Sequence, residues 1–324
     1  MLYSIHFLRF FAAAAVTLHH SLGDTKVDVG AAGVDVFFII SGIVIFLSTR
    51  PGETAYEFWM RRFIRVVPLY WVATAAFIIV KYICWRDLPT LSQVIRSLML
   101  FPLFGSGPNN LPLYFPAWTL QYEMLFYIIF TIALLISRNY AKSVVFLVLL
   151  FLSSVTLPIF WADGNEYFQS SMCLEFAYGI VIYALIAGKL KIPPSLGVMA
   201  IVLSVLVFSL NYRLGSTSRA LSWGLPAALL VGGMLAFEGS KWLRYRVFVT
   251  LGDASYAIYL SHISLQIFIG EAAKWYRVDL DSSPLLKIAI LFTSSILVGM
   301  LSHFVIEKPM LKLLRRCLPR KQEN

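Results

Sequence analysis

Residues 32–49 read AGVDVFFIISGIVIFLST, and the whole stretch carries one charge, Asp35. A run of this length and polarity crosses the roughly 30 Å hydrocarbon of a bilayer as a helix. Similar runs recur on both sides of it. Ten spans can be drawn, at 5–22, 32–49, 66–84, 116–136, 143–161, 170–188, 195–212, 220–237, 253–270 and 285–306. The runs are continuous rather than alternating, which argues for helices and against a β-barrel. The predicted fold is therefore an all-α polytopic helical bundle. Residues 93–104 are apolar but too short to span, so they lie at the interface or re-enter.

Composition agrees with this reading. Of 324 residues, 59% are hydrophobic and 14% are charged, and the mean hydropathy is +0.76. A soluble domain carries about 25% charged residues. A disordered chain and a soluble nucleic-acid binder are excluded. The net charge of +10 has a topological explanation, because Lys and Arg collect on the cytoplasmic side. With the N-terminus inside, the five cytoplasmic segments hold 17 Lys/Arg and the five outer ones hold 7. An N-in/C-in topology follows. The single domain is drawn over 1–324, with a basic cytoplasmic tail at 307–324 and no fused extracytoplasmic domain. No cleavable signal is expected, since Arg9 interrupts the first run. The outer segment 85–115 is the longest loop and is rich in Pro and Gly. Cys84, Cys173 and Cys317 have no metal-like spacing and are expected to be inert.

Ionisable groups inside spans are costly, so each is a functional candidate. Arg9 and His20 lie eleven residues apart. That is close to three helical turns and a rise of about 16 Å, so they share one stripe of span one. His19 points elsewhere. Asp35 starts span two at the same outer level and is expected to orient His20 as a general base. The alternative for Asp35 is a helix N-terminal carboxylate favoured by the dipole. Glu123 lies about two turns into span four, too deep to be a cap. Glu175 opens span six, where an interfacial role is equally open. Arg61, Arg62 and Arg65 precede span three on the inside; they fit topology, or a phosphate-bearing ligand. Tyr70 and Trp71 read as interfacial belt residues. Asp253 reads as a cap of span nine, His262 as a mid-span candidate, and Glu307 as an inner boundary. Lys81 and Lys287 can snorkel.

These segments together resemble the acyltransferase-3 family of membrane O-acyltransferases. The resemblance rests on Arg9-x10-His20, Gly33-Val34-Asp35-Val36-Phe37-Phe38, Arg61-Arg62-x-x-Arg65-x-x-Pro68, Trp118-Thr119-Leu120-x-x-Glu123, Ser255-Tyr256-x-Ile258-Tyr259-Leu260-x-His262 and Glu307-Lys308-Pro309, in order along the chain. Ile43 stands where the family usually has an aromatic. The resemblance implies transfer of an acyl group, by default acetyl, from cytoplasmic acyl-coenzyme A to a hydroxyl of a surface glycan or lipid-linked saccharide. It implies a bacterial cytoplasmic (inner) membrane, membrane lipid as surroundings, and no metal or nucleic acid. His20, Asp35 and Glu123 are the expected catalytic residues. Arg9, Arg61, Arg62 and Arg65 are expected at the donor, and Trp118, Tyr122 and His262 at the acceptor. Homo-oligomerisation is left open. The rival class is a proton-coupled transporter or flippase, against which no internal repeat is visible.

Overall fold

The computed structural model describes residues 2–23, 28–50, 52–100, 112–139, 141–154, 170–188, 192–214 and 219–317. All regular structure among the described residues is helical. The helices are α1 (Tyr3–Leu22), α2 (Ala32–Ser48), α3 (Ala55–Trp85), α4 (Leu91–Leu98), α5 (Trp118–Ile136), α6 (Ala141–Ser154), α7 (Cys173–Ala187), α8 (Pro194–Leu214), α9 (Leu225–Leu235), α10 (Arg246–Trp275), α11 (Pro284–Ser302) and α12 (Lys308–Leu314). Every expected span contains one of these helices. Three helical stretches, Ala55–Trp85, Phe115–Ile136 and Pro284–Leu314, are long and apolar enough to cross a membrane. They mark the chain as a membrane protein. The Pro/Gly-rich part of the expected outer loop, 101–111, lies outside the described residues, as do 155–161 of span five, the outer segment 162–169 and the end of the basic tail.

Packing places α1 at the centre, against α2 and α10. Burying apolar surface gains little where the alternative neighbour is lipid, so close backbone approach carries the packing. Gly42 of α2 and Gly179 of α7 show it. A Cβ on Gly42 would strike the Phe176 carbonyl oxygen, and one on Gly179 would strike that of Ile39. Beside this contact Phe176 packs between Phe38 and Phe126, at ring distances of 4.8 and 4.6 Å.

Three boundaries differ from the sequence reading. α3 starts eleven residues before the expected span, at a capping box formed by Thr54 and Glu57, so Arg61–Arg65 are helical rather than a loop. α4 folds back along α3: Tyr70 Oη donates to the Ser97 carbonyl at 2.9 Å, and Trp71 Nε1 to that of Leu98 at 2.9 Å. Tyr70 is wholly buried, so it is an inter-helix tie rather than an interfacial belt residue, while Trp71 stays exposed. α10 begins at Arg246, which puts Asp253 two turns inside the helix. It cannot cap there, and it meets His6 Nδ1 of α1 at 3.2 Å.

Candidate active site

A cavity of about 110 Å³ opens among α1, α2, α3, α5 and α10. Arg9, Arg62, Arg65, Ser41, Glu123, Tyr127, Tyr256 and Tyr259 supply its polar lining. Arg62 and Arg65, three residues apart, project from one face of α3. The Arg62 guanidinium lies over the rings of Phe58 (5.3 Å) and Tyr127 (5.8 Å) and donates to the Ser48 hydroxyl. Arg65 Nη1 donates to Glu307 Oε1 at 3.1 Å. Glu307 is fully buried and also meets His303 Nδ1 at 2.7 Å. Sequence reading treated Glu307 as a boundary. A π-helical turn over His303–Glu307 instead turns it into the bundle. Glu123 Oε1 accepts from the Tyr127 hydroxyl and from Ser41 Oγ at 3.4 Å. Arg9 makes no hydrogen bond or close ion pair among the described residues; Glu307, Glu123 and Asp253 are its electrostatic neighbours. The chamber thus sets three guanidiniums against two carboxylates, Glu123 and Glu307. Arg61 is not among its lining residues. It pairs with Glu53 and with the Ser48 carbonyl on another face of α3.

Beyond Tyr259 lies a second group. Tyr259 lines the chamber, and its hydroxyl is fixed by Thr119 Oγ1 at 2.8 Å and donates to the Pro116 carbonyl at 2.9 Å. Its ring lies 5.8 Å from that of His262. His262 is fully buried, with Nδ1 2.6 Å from the Tyr259 carbonyl oxygen. His20 approaches from α1: its ring lies 5.2 Å from His262 and 5.0 Å from His19. Neither His20 nor His262 lines the chamber.

The expected His20–Asp35 pairing is not what the structure forms. Asp35 is fully buried and gives both oxygens to Arg219, which donates from Nε at 3.1 Å and Nη2 at 2.9 Å. Glu175, also fully buried, is the electrostatic neighbour of both. It packs so closely on Gly224 that a Cβ there would lie 2.8 Å from its Cγ, so it holds no interfacial place. Nothing in the local sequence turns Arg219 inward, because it follows a polar stretch that reads as an outer loop. Trp118 and Tyr122 meet each other edge to face at 6.2 Å, and Tyr122 lies 5.7 Å from Phe38. Both belong to the hydrophobic core rather than to the chamber wall.

A basic chamber and a histidine pair are thus joined by one helix in an apolar bundle. A family model described as an acyltransferase domain matches residues 2–304. The chain belongs to the acyltransferase-3 family and is an acyltransferase. It is 32% identical, over 93% of its length and 94% of the relative's, to the exopolysaccharide production protein ExoZ of Rhizobium meliloti. It is 26% identical to the acyltransferase MdmB of Streptomyces mycarofaciens, over 96% of this chain and 92% of that one. No solved structure matches it. Family membership decides against the transporter reading.

Proposed function

We propose that the protein transfers an acyl group, acetyl by preference, from cytoplasmic acyl-coenzyme A to a hydroxyl of an exported or surface glycan. In this reading it is a ten-span protein of the bacterial inner membrane with both termini inside. The observation that carries the reading is the placing of Arg9 and His20 on α1. Arg9 is an unpaired guanidinium in a cationic chamber, and His20 is three turns farther along the same helix. Acyl-coenzyme A is anionic at one end and carries its thioester at the end of a long arm. Arg9, Arg62 and Arg65 bind its phosphates through charge-assisted, bidentate contacts. A helical rise of about 16 Å then separates phosphate and thioester levels.

His20 takes the proton from the acceptor hydroxyl as its oxygen attacks the thioester carbonyl. The C–S bond breaks, and the coenzyme thiolate leaves with that proton. In a two-step variant His20 is acylated first and passes the group on. Glu123 sets the charge and the Tyr127 hydroxyl of the chamber. Asp35, held by Arg219, fixes the start of α2 beside the site. A glycan acceptor draws support from the name of the Rhizobium relative, a protein of exopolysaccharide production.

The test uses purified protein, radiolabelled acetyl-coenzyme A and polysaccharide from a strain lacking the gene. Label should enter the polysaccharide. His20→Ala should abolish transfer, a loss of at least about 100-fold, while the protein stays folded and inserted. Wild-type transfer by His20→Ala would sink the assignment.

A further inference from the structure

His262 has an unbalanced hydrogen-bonding edge. Its Nδ1 is 2.6 Å from the Tyr259 carbonyl oxygen, one turn back on α10. A carbonyl only accepts, so Nδ1 carries the hydrogen and Nε2 keeps its lone pair. Nε2 is buried and has no partner among the described residues. A buried acceptor left unmatched costs about 1–3 kcal/mol.

His20 has the complementary need. A neutral imidazole acting as base through one nitrogen carries its hydrogen on the other. That hydrogen requires an acceptor, and Asp35, the residue expected to provide it, is committed to Arg219. No hydrogen bond to His20 is formed among the described residues. The group beside it is the unmatched ring of His262, at 5.2 Å between centroids. The χ2 torsion of histidine is broad and two-fold, so the His20 ring can present either nitrogen.

The two helices are locked in register here. Gln266, one turn after His262, sends its amide Nε2 to the Thr17 carbonyl at 3.2 Å and to Ser21 Oγ at 2.9 Å. Thr17 and Ser21 flank His20 on α1. The same nitrogen reaches Ser295 Oγ of α11 at 3.4 Å. The ring contact is therefore set by three helices rather than by two mobile side chains.

We propose that His262 is the positioning partner of His20: its Nε2 accepts the hydrogen from one nitrogen of His20 and frees the other for the acceptor hydroxyl. The bond strengthens as His20 becomes an imidazolium, since a hydrogen bond from a charged donor is worth more than a neutral one. This assignment rests on the reading of His20 as the base. It gives His262 an internal role in place of contact with the glycan.

The test compares four full-length variants in nanodiscs. Thiol release from acetyl-coenzyme A is followed, with polysaccharide from a strain lacking the gene as acceptor. His262→Leu should lower kcat about 10- to 100-fold, the loss of one charge-assisted hydrogen bond, with the KM for acetyl-coenzyme A unchanged. His262→Gln sets an amide oxygen near the Nε2 position and should restore most of kcat. His262→Asn sets its amide near Nδ1, so it can satisfy Tyr259 but not His20, and should stay impaired. Rescue by Asn rather than Gln, or equal activity of the two, would overturn the proposal in favour of a purely structural bond to Tyr259. So would wild-type kcat in His262→Leu. The Gln and Asn pair decides the matter even if the Leu variant fails to fold. His20→Ala is the control that separates the two readings. If it is active, the base assignment itself fails. If it is dead while His262→Leu is normal, the pairing alone fails.

Discussion

The bundle holds two clusters of buried charge, and they are built to opposite plans. In the chamber, Arg9, Arg62 and Arg65 face an open space, and cations exceed carboxylates. Around Arg219, the guanidinium is bonded to both oxygens of buried Asp35, and buried Glu175 packs beside the pair against Gly224. The first arrangement leaves a guanidinium looking for an anion. The second consumes its cation completely. Charge in a membrane interior is costly in both places. The Arg219 cluster is a staple between the start of α2, the start of α7 and the turn before α9, while the chamber is the proposed donor site.

Substitutions at the two clusters should therefore fail in different ways. The largest effect is expected from Arg219→Ala, which strands the buried Asp35 carboxylate. Removing one partner of a buried pair costs about 3–5 kcal/mol. Thermal unfolding in detergent should show a clear fall in Tm and a low yield of inserted protein. An Arg219→Ala protein of wild-type stability would break the contrast. Next is Arg9→Gln. A charge-assisted contact is worth about 1.5–3 kcal/mol, so the KM for acetyl-coenzyme A should rise about 10- to 100-fold. The loss of stability should be smaller than in Arg219→Ala, because Arg9 makes no hydrogen bond or close ion pair to strand. An unchanged KM would remove Arg9 from the donor site. The smallest effect belongs to Arg61→Lys. Arg61 points at Glu53, and Lys retains that attraction, so the KM for acetyl-coenzyme A should move less than about 2-fold. A rise matching that of Arg9→Gln would put Arg61 back among the donor-binding residues.

Much of this was legible in the residues. The helices of the bundle follow from apolar run length alone, and the spacing of Arg9 and His20 needs only the period of a helix. Arg62, Arg65 and Glu123 were marked because charge inside an apolar run demands a reason. Partners were far less legible. Arg219 pairs with Asp35 across 184 positions, and Arg65 with Glu307 across 242. Both partners sat in stretches that read as a loop or a boundary. Trp118 and Tyr122 were expected at the acceptor and pack in the hydrophobic core, a setting that their residue type alone does not reveal.

That the chain is a helical membrane protein, which family it resembles, and which ionisable side chains lie inside apolar runs can all be read from the residues. Those follow from local quantities: run length, helical period and the cost of charge in an apolar medium. Which charge answers which is settled by the packing of the helices. It joins Asp35 to Arg219, leaves Arg9 without a hydrogen bond among the described residues, and sets His262 beside His20. Pairing depends on crossing position and rotation between helices far apart in the chain, and close contacts such as Gly42 on Gly179 fix these without leaving a local periodic signal.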